Sequence, residues 1–247
     1  GDWLSIGAGV LYGPSYEGSN DYVISPLPVI QGRVAGIGIS TRPAGAAFDV
    51  LPKPKKGLGL AFGPSFRVRS SRAVEIDDPV VERLGTLRRA VEVGVSGGIS
   101  AAQVLDPYDK LAIGLDVRWD VNKAHRSMVL QPSISYFTPV SRGMAVALNL
   151  DAEHGGDRFM DYYYTITPAG SAASGLPTFA AHGGWTHVGV TLLTLIDFDG
   201  DLTNGGPFAL VGGGYARMLG DARRSPITSI RGSPNQWLAG AGLGWTF

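Results

Sequence analysis

Hydrophobic and polar positions alternate with period two through most of this chain. The clearest stretch is Gln236–Phe247. Phe247, Trp245, Leu243, Ala241, Ala239 and Trp237 share one register, and Thr246, Gly244, Gly242, Gly240, Leu238 and Gln236 the other. Successive residues of a strand face opposite sides. One face is therefore apolar with an aromatic at each end, and the other is small and mostly polar. An apolar band bracketed by aromatics marks a membrane-spanning strand. The stretch is long enough, since roughly 9–11 residues cross a bilayer at a tilt. A strand that stops on Phe has the look of a bacterial outer-membrane barrel.

The pattern recurs. In Lys110–Val121 the residues Leu111, Ile113, Leu115, Val117, Trp119 and Val121 alternate with Lys110, Ala112, Gly114, Asp116, Arg118 and Asp120. A soluble sheet also alternates apolar-in with polar-out, so an all-β sandwich is the competing architecture. The barrel is favoured by the character of the minor face. It is small and charged and carries both signs within one strand, which suits a narrow polar lumen. Trp3–Tyr12, Leu58–Arg69, Val91–Ile99, Met128–Phe137, Met144–Asp151 and His187–Phe198 repeat the scheme.

Twelve strands are predicted, near 3–12, 25–34, 36–50, 58–70, 90–103, 110–121, 128–138, 143–152, 177–184, 186–198, 206–218 and 236–247. An even count closes an antiparallel barrel with both termini on one side, and closure removes exposed edges. The expected fold is all-β: one transmembrane antiparallel barrel of about twelve strands, of bacterial outer-membrane type, spanning 1–247 as a single domain. Long connections remain at Pro14–Ile24, Ser71–Arg89, Glu153–Leu176 and Leu219–Asn235. Within them Asp78–Arg88 predicts a short helix, because Val81, Leu84 and Leu87 recur at helical spacing. With both termini periplasmic, the predicted parity puts Ser71–Arg89 and Glu153–Leu176 in the periplasm as well. Periplasmic turns are normally short.

Composition narrows the reading. Lys plus Arg and Asp plus Glu number 21 each, and the zero net charge gives no field for nucleic acid. Cysteine is absent, which suits an oxidising compartment. Glycine, 36 of 247 residues, is about twice its usual share of about 7% and sits inside alternating strands, against disorder. Apolar runs stay far short of a membrane helix. The chain opens at Gly1-Asp2-Trp3 without a leader pattern, so an outer-membrane location expects the numbered chain to be the processed form.

The alternation places Arg67, Arg69, Glu92, Lys110, Asp116, Arg118, Asp120, Asp151, Asp197 and Arg217 on inner faces. The plain expectation is a mutually neutralising network filling a narrow lumen; the sharper one is a selectivity-setting pore lining. Tyr12, Trp119, Trp237, Trp245 and Phe247 are the expected membrane-interface aromatics. His125, His154, His182 and His187 lack metal-site spacing, and turn or lumen positions are expected for them. Ser225 beside Asp221 reads as turn chemistry before catalysis. Gly212-Gly213-Gly214 lacks the lysine and hydroxyl of a phosphate loop. Lys53-Pro54-Lys55-Lys56 forms a basic loop whose predicted parity is outward, where it would meet lipopolysaccharide. Tyr162, Tyr163 and Tyr164, with Phe159, either dock a partner or fold into the barrel mouth.

Several segments outside the strands carry a family pattern. Pro14-Ser15-Tyr16-Glu17-Gly18-Ser19 reads P-x-Y-x-G-S, and Ser174-Gly175-Leu176-Pro177 reads S-G-L-P. Leu219 to Ile227, with Asp221, Ser225 and Pro226, reads L-G-D-A-x-x-S-P-I. With the terminal strand, these residues resemble the MipA/OmpV family of outer-membrane proteins over nearly the whole chain. Tyr163-Tyr164-Thr165-Ile166-Thr167 departs from a family run like Y-F-G-V-T. The resemblance implies no catalytic residues and no cofactor. It implies a scaffold for periplasmic murein hydrolases or synthases, for which the predicted periplasmic segments Ser71–Arg89 and Glu153–Leu176 are the expected contacts; a narrow small-solute pore, which the size of a twelve-stranded barrel permits, is the alternative.

Overall fold

The computed structural model describes residues 1–54 and 57–247. Twelve antiparallel strands close into a barrel in the order 1-12-11-10-9-8-7-6-5-4-3-2. They are β1 (Trp3–Pro14), β2 (Tyr22–Val34), β3 (Ile37–Arg42), β4 (Gly45–Asp49), β5 (Leu58–Arg69), β6 (Ala90–Ala102), β7 (Lys110–Asp120), β8 (Met128–Ser141), β9 (Met144–Gly155), β10 (Gly184–Asp197), β11 (Gly206–Met218) and β12 (Asn235–Thr246). The last strand closes on the first, from Ser5↔Thr246 to Tyr12↔Ala239. The outward face carries the apolar register: Val10, Leu60, Ile113, Leu192 and Leu243 are all more than half exposed. Such a surface requires an apolar surround.

Two of the expected strands differ, and the difference matters. The stretch 36–50 is two strands, because Pro43-Ala44 turns the chain back: Ala44 adopts φ 50° and Arg42 pairs with Gly45. The expected strand at 177–184 does not form. Only an isolated bridge, Phe179↔Ile166, is present there. The two corrections cancel in the count but reverse the side of every connection between them. The long segments after β5 and β9 therefore share the rim opposite the termini with the connections after β1, β7 and β11. They do not lie on the termini side. The connection Val50–Gly57 moves to the termini rim, which overturns the outward placement of the basic loop; Lys55 and Lys56 fall outside the described residues.

The far rim is capped. Its connections hold α1 (Pro79–Glu82), α2 (Asp157–Tyr164), α3 (Pro168–Ser174), α4 (Gly220–Arg224) and α5 (Pro226–Ser229). The helix expected over Asp78–Arg88 is a single turn. Asp78 caps it by accepting from the Val80 and Val81 amides at 2.9 and 3.0 Å, and Gly85 at φ 90° follows it. In α2 the spacing of Phe159, Met160, Tyr163 and Tyr164 puts all four on one buried face. Thr167 caps α3, Pro168 begins it and Gly175 ends it at φ 78°.

These helices share two apolar clusters. One joins Phe159, Met160, Tyr163 and Tyr164 to Val129, Met218 and Ala222. The other joins Tyr16, Ile76, Val81, Ile166, Leu176 and Ile227. Each large side chain so buried is worth about 1.5–3 kcal/mol, so the cap is a packed unit seated on the barrel.

Candidate functional site

Beneath the cap the lumen is filled by charge. Arg69, on the inner face of β5, donates from Nε to Glu92 Oε1 at 2.8 Å and from Nη2 to Glu153 Oε2 at 2.7 Å. Its Nη1 reaches Glu17 in the first far-rim connection. Phe159 of α2 lies over the same guanidinium, 4.8 Å from ring centre to Cζ. Arg67 donates to Glu153 Oε2 at 3.2 Å, and Thr186 Oγ1 donates to Glu153 Oε1 at 3.0 Å. Because β5 and β9 stand apart around the wall, the Arg67 and Arg69 bonds to Glu153 cross the lumen.

The network continues along the wall. His125 Nε2 meets Glu92 Oε1 at 3.0 Å. Arg118 donates to Asp116 at 2.7 Å and to Gln131 at 2.6 Å, and Arg42 Nε donates to Asp116 at 2.8 Å. Four guanidiniums (42, 67, 69 and 118) thus face four carboxylates (17, 92, 116 and 153). Burying charge is tolerable only when it is paired and hydrogen-bonded. Balance of this kind builds a plug; a selective pore lining would leave one sign in excess to attract its ion. Arg118 Nε and Glu92 Oε2 have no hydrogen bond and face each other at 3.7 Å.

The structure gathers Arg67, Arg69, Glu92, Asp116 and Arg118 from the expected inner-face set. Asp151 also faces inward, 3.3 Å from His187. Lys110 stands at the other end of β7, on the inner register. Asp120 and Asp197 serve turns: Asp120 accepts from the Asn122 and Arg126 amides at 2.9 and 3.0 Å, and Asp197 from the Asp199 and Gly200 amides, both at 3.0 Å. Arg217 is corrected. It lies on the outward register beside Val188 and Asn235, bonded to Asn235 at 2.6 Å. Glu17, Arg42 and Glu153 lie outside that expected set, and His125 stands at a lumen position. Glu153 continues the register of Asn149 and Asp151, and its signal was one more turn of the alternation.

The aromatics expected at the membrane interface, Tyr12, Trp119, Trp237, Trp245 and Phe247, all lie exposed on the outer face or at the rim. Tyr215 and Trp237 pack at 4.7 Å and Tyr12 and Tyr22 at 5.4 Å toward the cap, while Trp245 and Phe247 sit at the termini rim.

The motif residues meet in the cap. Pro14 ends β1 opposite Tyr22. Gly18 adopts φ 93°, a conformation an L side chain resists, and a Cβ there would strike Thr228. Gly18 N donates to Gln236 Oε1 at 3.1 Å, and Gln236 Nε2 donates to Ser19 O at 2.9 Å. Ser225, fully buried, donates to the Tyr164 carbonyl at 2.7 Å, and Pro226 begins α5. Asp221 accepts from His182 N at 2.8 Å and from Arg224. Burial pushes the Asp221 carboxyl up, but these bonds prevail and hold it below the ordinary value. Burial, helped by the Asp78 carboxylate, pushes the Tyr16 phenol up to about 12.

Below the charged plug the lumen opens into a cavity of about 860 Å³ between β8 and β2, by way of β12 and β1. Leu11, Leu27, Leu193, Leu195, Phe208 and Leu210 line it, and Trp3, Asn204 and Phe247 stand at its mouth on the termini rim. No curated protein matches the chain. The family model described as MltA-interacting protein MipA matches residues 6–247, nearly the whole of it, and the chain belongs to that family.

Proposed function

We propose that this protein is an outer-membrane barrel that works by binding, as a scaffold for periplasmic murein enzymes, and does not conduct. The neutralised plug beneath a packed cap carries this reading: it obstructs the lumen with buried ion pairs that are costly to break. The family's name points to a lytic murein enzyme as the partner class. Outer-membrane barrels have short periplasmic turns and longer outer loops. The termini rim is then periplasmic, and the cap faces outward among lipopolysaccharide. A murein enzyme would meet the barrel at the termini rim.

The turn after β6 offers a preformed contact there. Leu105 and Tyr108 are 83% and 76% exposed. The Asp109 carboxylate holds the loop by accepting from the Val104, Leu105 and Asp106 amides and from the Tyr136 hydroxyl. Tyrosine is one of the side chains that dominate interface energetics, and Leu105 adds apolar area in the same turn. The test pairs a planar-bilayer recording with capture of a purified lytic transglycosylase on the reconstituted barrel. We expect no conductance steps, and capture that falls at least tenfold in Leu105→Asp/Tyr108→Asp. Steady unitary steps would overturn the non-conducting reading in favour of a narrow solute pore; undiminished capture would overturn the surface.

A further inference from the structure

The barrel wall is incomplete along one seam. β2 is laddered to β1 over its whole length, from Trp3↔Arg33 to Pro14↔Tyr22. To β3 it is laddered only from Gly32↔Ile39 to Val34↔Ile37. Just above, Thr41 Oγ1 stands in for the backbone: it accepts from Ile30 N at 3.3 Å and donates to Ile30 O at 2.6 Å. Beyond Thr41 the β3–β4 hairpin leaves β2 and pairs with β5 between Gly45↔Arg67 and Ala47↔Ser65.

The sequence of β2 matches this gap. N–H and C=O of one residue in an antiparallel strand point to the same neighbour. Since Ile30 points to β3, so do positions 28 and 26, and both are proline. Proline has no N–H to leave orphaned, and it is confined to edge strands. Inside hydrocarbon an unmatched donor costs several kcal/mol. The two prolines thus remove the donors that such an edge would leave bare in a bilayer, and only their carbonyls remain without a partner strand. An edge meant to be closed would need those donors.

The gap adjoins the apolar cavity. Leu27, Val29, Gln31 and Thr41 line that cavity at the seam. Pro26 and Pro28, on the alternate register, are exposed on the outer face. The lumen is apolar along β8 to β2; the charged network near the cap reaches as far as Arg42 of β3, and Arg33 of β2 pairs with Asp49 of β4 at 2.9 Å toward the termini rim. At the mouth, Thr203 and Asn204 supply hydrogen-bonding groups beside Trp3 and Phe247, while the Asp2 carboxylate accepts from the Ala35 amide at 3.2 Å. We propose that the seam between β2 and the β3–β4 hairpin is a lateral portal, through which the hydrocarbon chain of a single-chain bilayer amphiphile, a fatty acid, enters the apolar half of the lumen. The chain lies along Leu27, Leu193 and Leu210, with its head group at the termini rim. The cavity's size falls within the roughly 300–1,000 Å³ of small-molecule sites.

The test uses the full chain in phosphatidylcholine vesicles and cis-parinaric acid, a fatty acid whose fluorescence rises in apolar surroundings. Leu195→Trp narrows the cavity across the path of the chain, and Ile30→Cys/Thr41→Cys locks the seam with the chain's only disulfide, its formation read by intact mass. We expect saturable binding to the native barrel and its loss in Leu195→Trp. Oxidation of the double variant should slow entry from the bilayer at least tenfold, with full recovery on reduction. A native barrel that shows no saturable binding overturns the cavity assignment. Binding that survives Leu195→Trp does the same. Entry at an unchanged rate through a verified disulfide overturns the portal and leaves the open mouth as the route. Heat-modifiable migration of both variants establishes that they fold. The scaffold reading can fail while this one stands, because no murein enzyme enters the assay.

Discussion

Arg69 and Glu153 face each other across the lumen, joined by two bonds, Nη2 to Oε2 at 2.7 Å and Nη1 to Oε1 at 3.3 Å. Both side chains are buried, and Glu92 and Glu17 share the same guanidinium. Arg69→Met removes the cation and leaves the carboxylates to repel one another. We expect a loss of about 3–5 kcal/mol, read by urea unfolding in vesicles. Adding Glu92→Gln and Glu153→Gln should restore much of that loss. A triple variant no more stable than Arg69→Met would show that the charge itself is not what the pairing resolves.

Tyr163 is buried in the cap and its hydroxyl has no partner among the described residues. Burial pushes its phenol well above the ordinary value. An unsatisfied buried hydroxyl costs about 1–3 kcal/mol. Tyr163→Phe should therefore be neutral or stabilising by about 1 kcal/mol, seen as an equal or higher unfolding midpoint. A lower midpoint would reveal a partner for the hydroxyl.

Asp78 joins α1 to the far end of the chain. Burial pushes its carboxyl up, but the Arg231 hydrogen bonds, at 3.1 and 2.8 Å, and the Val80 and Val81 amides outweigh this and hold it below the ordinary aspartate value. A depressed folded value stabilises the cap above the ordinary pKa, and that contribution is lost as pH falls through the folded value. Hydrogen exchange over 78–88, corrected for its intrinsic pH dependence, should lose protection in that acid window. Asp78→Asn should flatten the profile.

Ile113 stands mid-strand on the outer face, 58% exposed. In lipid Ile113→Arg should cost about 2–4 kcal/mol, measured by the same urea titration. Arg217→Leu, near the cap on that face, should cost far less. Equal tolerance at both positions would argue against a bilayer around Ile113.

Much of the wall was legible because alternation is local. The register of Lys110–Asp120 already separates Trp119 from Arg118, and the structure keeps that separation. Turns and edges are less local. Thr41-Arg42-Pro43-Ala44 breaks 36–50 without breaking its apolar content, so a hairpin reads as one strand. The stretch at 177–184 alternates weakly but has no neighbour to pair with, because the chain runs over the cap there. Those two misreadings left the strand count intact and moved the long segments to the wrong rim. The inner network was half legible: charges on Arg67, Arg69 and Glu92 follow from register, whereas Glu17 and His125 enter from connections whose path no periodicity encodes. Arg217 shows the limit of reading sign alone, since a charge near a rim can face outward.

The barrel's first and last strands are also joined beyond their ladder, Ser5 Oγ to Thr246 Oγ1 at 2.6 Å near one rim and Gly18 to Gln236 near the other. Their partners are 241 and 218 residues apart in sequence. Pairing over such a span carries a closure entropy that must be met before its contacts reward it. Until it is complete, β1 keeps a bare edge and the cap lacks Gln236, which accepts from Gly18 in the first connection. Assembly is therefore committed late and nearly all at once: a chain held open at this seam is not a weaker barrel but an uncapped sheet, dependent on whatever shields its edges until the ends meet.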